Sequence, residues 1–121
     1  EFVAATGVDA LAVAVGSSHA MTSRDAKLDL ELIAAIRQAV PVPLVLHGSS
    51  GVADENLTKA VEAGMTKVNI STHLNHAFTD TVREILAANP EMVDTRKYLG
   101  AGREAVRAEV TRLLGVLLAA N

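Results

Sequence analysis

The sequence predicts an α/β fold with parallel strands, and three observations predict it. Half of the 121 residues are hydrophobic but only 2% are aromatic, so the core must be built from Ala, Val, Leu and Ile, as in helix-covered parallel sheets. Short apolar runs alternate three times with stretches of helical periodicity. Each apolar run ends in a polar or Gly/Ser loop, which places those loops at strand carboxyl ends, the face where such folds bind ligands.

Phe2 and Val3 followed by Gly7 read as a last helical turn stopped by a left-handed glycine. Ala10 to Val15 is a small-and-apolar run ending in Gly16-Ser17-Ser18, suited to a strand buried on both faces. A polar loop from Ser18 to Lys27 leads to a helix capped by Asp29, with Leu32, Ile33, Ile36 and Val40 inward, and Pro41 and Pro43 stop it. Val42 to Leu46 is the second strand, His47 to Ala53 its loop, and a helix from Asp54 carries Leu57 and Val61 towards Gly64. Lys67 to Ile70 is the third strand. Ser71-Thr72 offers a cap for a helix with Leu74, Ala77, Phe78, Val82, Ile85 and Leu86 on one stripe, ending at Asn89-Pro90. An irregular segment with Asp94, Arg96, Lys97 and Tyr98 then precedes a last helix, Arg103 to Leu118. Right-handed crossovers make the strands parallel. Three strands cannot close a barrel, and an open sheet leaves two apolar edges, so partner strands are expected upstream.

The charge balance excludes several function classes. A net charge of −3 with no run of Lys or Arg argues against nucleic acid or an anionic membrane as partner. The absence of cysteine removes disulfides and thiolate metal sites, leaves His and carboxylate as the only zinc ligands, and fits a cytoplasmic setting. No apolar stretch reaches the ~18 residues that span a bilayer, and the first residues resemble neither a signal nor a transit peptide.

His19 lies just beyond the first strand, His47 immediately after the second and Asn69 near the end of the third. Neighbouring strands lie only about 4.8 Å apart, so imidazoles leaving two adjacent strand ends can address one ion. Taken singly, each histidine reads more readily as a loop or core residue, and only the repeated placement after consecutive strands brings the metal reading level with that one. Two histidines also leave a catalytic zinc site short of its usual third protein ligand. The loop Gly48-Ser49-Ser50-Gly51, backed by a helix start, suits a phosphate or other oxyanion, although such a loop is also a common turn. Asn69-Ile70-Ser71-Thr72 offers a second set of polar groups, with an ordinary N-cap as the plain reading. His73 and His76 form a weaker metal pair that an exposed helix face explains as well, Arg96, Lys97 and Arg103 read as solvated surface, and Asp9, before its strand, as structural.

Three ordered motifs then carry a resemblance. Gly7 to His19, Pro43 to Gly51 and Lys67 to Thr72, in their order and spacing, resemble the class II fructose- and tagatose-bisphosphate aldolases, and the likeness extends through Asp94 to Leu99 and the last helix. The resemblance implies the last three strands and helices of a (β/α)8 TIM barrel, with the earlier strands outside these 121 residues. It implies zinc ligation by His19 and His47, and binding of dihydroxyacetone phosphate by Ala20, Gly48, Ser49, Ser50, Asn69, Ile70, Ser71 and Thr72. A monovalent cation, Na+ or K+, is implied at the Gly48 to Ser50 backbone, and a homo-oligomer is expected. The third zinc histidine and the acid/base carboxylate are implied to lie upstream. Zinc would polarise the ketone and stabilise the charge left by proton removal.

The sequence departs from the family pattern at several positions. Ala20 and Ser49 stand where the family usually has glycine, each adding a side chain where backbone amides should approach phosphate. If the Ser49 side chain crowds the phosphate loop, Ser49→Gly is expected to lower the Michaelis constant. Ser71 and Asn75 stand where fructose-bisphosphate members often carry Asp and Arg, which leaves a tagatose-type or related ketose open. A metal-free sugar-phosphate isomerase or synthase barrel, and a non-catalytic fragment, are the competing readings.

Overall fold

The computed structural model describes residues 1–18 and 23–119. Helix α1, Phe2–Thr6, ends at Gly7 with φ 66°, the left-handed stop read from the sequence. Three strands follow in order, β1 (Leu11–Val13), β2 (Leu44–Leu46) and β3 (Met65–Val68), separated by helices α2 (Leu30–Ala39) and α3 (Asp54–Ala63). They form one parallel sheet in the order β1-β2-β3. Asp29 caps α2 by accepting from the Leu32 backbone N–H, and Val40 closes it ahead of Pro41.

The central strand is buried throughout, because it alone has a strand on each side here and helices against it. Leu44 and Leu46 join Ile33 of α2, Leu57 of α3, Val52 and Leu113 in the core. Burying a Leu side chain such as Leu57 contributes roughly 1.5–3 kcal/mol, and Leu57 and Ile33, both fully buried, tie α3 and α2 to the sheet.

Several elements differ from the sequence reading. β1 is Leu11–Val13 rather than Ala10 to Val15, and at the edge of the sheet its Ala12 is exposed instead of buried on both faces, while β2 begins at Leu44 rather than Val42. β3 is Met65–Val68 rather than Lys67–Ile70, because Gly64, at φ 126°, turns the chain straight out of α3 and the register shifts between Leu44 and Val45. Asn69 continues the ladder with its N–H on the Leu46 carbonyl at 3.0 Å, which releases Ile70 into the loop. After α4 (Thr72–Ala88), the last helix α5 runs over Thr95–Leu118, eight residues earlier than expected. Asp94 starts it by accepting from the Arg96 backbone N–H at 3.1 Å. Gly102, inside α5, lies against the Phe78 ring, so this one glycine lets α4 and α5 pack closely there.

Candidate functional site

The loops that leave β2 and β3 converge. His47, Gly48 and Ser50 from the first, and Asn69, Ile70, Ser71 and Thr72 from the second, line one open cavity of about 450 Å³. A smaller cavity of about 250 Å³ between the ends of β1 and β2 is lined by Ser17, His47 and Gly48 among others. His47 and Gly48 therefore form the wall common to both. His19 and Ala20 lie outside the described residues.

The loop after β2 has this shape for a local reason. Gly48 takes φ 64° and packs so closely on the Ser18 backbone that a Cβ there would collide with the Ser18 carbonyl. The Ser17 hydroxyl donates to the His47 carbonyl from the β1 side. Ser49 to Gly51 then form one 3-10 turn, with Val52 N–H on the Ser49 carbonyl at 3.0 Å.

The two serines of this turn have separate tasks. Ser49 is 1% exposed, and its hydroxyl donates back to the Leu46 carbonyl at 3.1 Å. It does not line the cavity, so the expected crowding of the loop by its side chain is not what this geometry shows. Ser50, at the cavity wall, accepts from His73 N–H at 3.2 Å and from Ser71 N–H at 3.4 Å. It thereby caps α4 from another loop. Ser71 occupies the N-cap position, but its own side chain makes no capping bond, contrary to the cap read from the sequence.

The chemistry available here suits an oxyanion. The N-terminus of the 17-residue helix α4 faces the cavity through Ser71 and Thr72, and the 3-10 turn adds further backbone amides. Among the described residues the lining includes no lysine or arginine, so there backbone dipoles and hydroxyls supply the attraction. Lys67 Nζ donates to Asn69 Oδ1 at 2.6 Å, which fixes the carboxamide and makes Nδ2 its donor end.

His73 was not singled out as part of this site, and its environment is the main surprise. Its Nε2 lies 2.7 Å from Glu109 Oε1 of α5, and both side chains are largely covered. Arg112 holds both Glu109 oxygens and reaches Asp54. The Arg112 guanidinium, and after it His73, hold the Glu109 carboxyl at about 2 against the opposing effect of burial. Arg112 also holds Asp54 below its ordinary value, against burial, and Arg24 adds to the same effect. His76 pairs instead with Asp80 at 3.6 Å on the exposed side, so the two histidines do not share a ligand position. Arg96 and Arg103 are exposed, as read from the sequence.

Comparison with known proteins bears on the same residues. The family model for fructose-bisphosphate aldolase class-II matches residues 1–121. Among solved structures, the YdjI aldolase from Escherichia coli K12 is 34% identical with a TM-score of 0.79, over 96% of this chain and 41% of that one. The fructose-bisphosphate aldolase from Campylobacter jejuni is 25% identical with a TM-score of 0.71, over 88% of this chain and 39% of that one. The chain thus spans about two fifths of the length of the structures it resembles.

Proposed function

This chain belongs to the class II fructose-bisphosphate aldolase family, and on that premise we propose that the protein carrying it is a zinc-dependent aldolase. It cleaves a ketose 1,6-bisphosphate of fructose or tagatose type, reversibly, to dihydroxyacetone phosphate and an aldehyde. The observation that carries this reading is the single cavity that joins His47 to the two anion-suited loops. The strands stand as the last part of a (β/α)8 barrel, the sugar phosphate is the partner, and a cytoplasmic homo-oligomer is the expected setting. Among the described residues no helix is long and apolar enough to cross a membrane.

The residues present fit the metal as far as they go. Among the described residues no group of three His, Cys, Asp or Glu side chains could hold an ion. His47 nonetheless presents an imidazole at a strand end, on the wall between two cavities, and with His19 it would supply two of the three protein ligands of a catalytic zinc. Bound there, zinc supplies Lewis-acid polarisation of the substrate ketone. The chain's own groups do the rest. The amides around Gly48 to Ser50 and the Thr72 amide at the start of α4, whose neighbours Ser71 and His73 donate to Ser50 Oγ, bind the phosphate, and a Na+ or K+ ion would bind at the Gly48 to Ser50 carbonyls. Asn69 Nδ2 orients an oxygen of the three-carbon unit, and Val68 and Ile70 keep water from one wall.

The test is metal analysis and ketose-bisphosphate cleavage on the whole protein. His47→Ala and His19→Ala should each remove zinc and lower kcat/KM by more than about 100-fold, since even groups that only support a ligand cost 10–100-fold. Retained zinc and turnover would overturn the site, and a wild-type protein that holds no stoichiometric zinc, ignores chelators and does not cleave ketose bisphosphates would favour the isomerase class.

A further inference from the structure

The phosphate-side loops are held by more than their own turns. From Ser50 Oγ, 9% exposed as a residue, the contacts run to His73 N–H, and from the His73 ring to Glu109. Arg112 grips Glu109 through Nε at 2.9 Å and Nη2 at 2.6 Å, and turns its other face to Asp54. Asp54 Oδ1 accepts from Arg24 Nη2 at 2.5 Å, and Arg24 donates twice to the Val52 carbonyl, at 2.7 and 3.1 Å. Val52 stands two residues from Ser50. The contacts therefore close a ring that begins and ends in the loop after β2 and passes through α4, α5, α3 and the segment after β1.

We propose that this ring, with His73 and Glu109 as its positioning residues, sets the gap between the loop at 48–51 and the N-terminus of α4, and thereby the affinity for phosphate. The inference rests on the phosphate-binding reading above and extends it to side chains that do not line the cavity. Isolated surface ion pairs contribute little. Here, however, the His73 and Glu109 side chains are only 29% and 18% exposed, and every link from Glu109 to Val52 is charge-assisted. The geometry also separates positioning from bracing. His73 is at once the donor to Ser50 and the ring's link to α5, so a shift of its helix turn moves the amides that would meet the anion. Ligand amides displaced by about 1 Å lose much of their worth.

The experiment uses the whole protein, with inorganic phosphate as a competitive inhibitor of ketose-bisphosphate cleavage. His73→Leu and Glu109→Ala should each weaken phosphate inhibition about tenfold and raise KM in parallel, with kcat held within about threefold, because binding rather than chemistry is affected. The double variant should lie within about threefold of either single one, as expected for members of one network. His73→Gln, whose amide can still donate to Glu109, should recover to within about threefold of wild type. If Glu109→Ala fails to fold, Arg112→Lys serves: it keeps the charge but not the fork, and should weaken inhibition by about threefold or more. If wild type shows no phosphate inhibition, the phosphate-site reading falls and this inference with it. If wild type is inhibited and the folded variants are inhibited within about twofold of it, whatever their melting temperatures, the ring is only a brace and the inference alone is overturned.

Discussion

The two halves of the site are built differently. The ends of β2 and β3 are locked to one another: Leu46 O accepts from both Asn69 N–H and Ser49 Oγ, and Ser50 Oγ accepts from the Ser71 and His73 amides at the start of α4. The end of β1 meets that block through Ser17 on the His47 carbonyl and through the Ser18 backbone against Gly48, and the chain returns to it at Ala26 N–H on Gly51 O. The proposed phosphate recognition would thus rest on polar contacts within this stretch of chain. The expected metal half depends on how β1 is pressed against β2 at one glycine, which makes Gly48 the place where the two halves can be separated.

Gly48→Ala should have the largest effect. A left-handed conformation costs an ordinary residue about 1–2 kcal/mol, and the added Cβ meets the Ser18 carbonyl, which belongs to backbone and cannot rotate away. The expected total is about 2–4 kcal/mol, with weaker zinc retention, because relief requires the end of β1 to move off His47. Thermal unfolding and metal content of the whole protein measure both. An unchanged melting temperature with full zinc would show that the close approach is not maintained.

Acid should act on the other half. The folded-state carboxyl of Glu109 is lowered from 4.5 to about 2, chiefly by Arg112 and then by His73, and Asp54 shifts in the same direction. For a lowered carboxyl the stabilisation is full above the unfolded value and is lost as pH falls through the folded one. The contribution of Glu109 should therefore decline between pH 4.5 and about 2. Glu109→Gln should cost about 1–2 kcal/mol near pH 6 and progressively less below pH 4.5. Melting curves of both proteins across that range decide it. Curves that stay parallel would place the acid-sensitive contact elsewhere.

Much of the architecture was legible because it is local. The Asp29 cap and the Gly7 stop each depend on residues within one or two turns, and each appears as read, whereas in the α2 stripe Ile33, Ile36 and Val40 face the core but Leu32, expected with them, is exposed. The cavity-lining loops were also legible, since a strand followed by Gly, Ser or Asn places those residues at a carboxyl end. What was hidden depends on distant partners. The pair His73–Glu109 spans 36 positions, so helical spacing suggested only an exposed face or a partner in His76. The early start of α5 was obscured by Gly100 and Gly102, one of which is there to admit the Phe78 ring. Ser71 looked like a cap because its chemistry is right, but it is Ser50 that accepts from the orphan amides.

The smallest expected effect concerns Ser49, and it sharpens the same contrast from inside the loop. Its place in a Gly/Ser turn suggests that the side chain narrows the phosphate site. The geometry sends the hydroxyl the other way, onto the Leu46 carbonyl that also receives Asn69 N–H. Ser49→Gly would remove one buried hydrogen bond and leave Leu46 O still paired, so the loss of stability should be about 1 kcal/mol or less. Added backbone freedom in the turn contributes a similar small cost. Because Ser50, not Ser49, caps α4 and lines the cavity, the Michaelis constant for the ketose bisphosphate should stay within about twofold of wild type. Steady-state kinetics beside a melting curve separate the possibilities. A clearly lower Michaelis constant would show that the extra atoms do obstruct the anion, and that Ser49 turns towards the cavity when substrate is bound.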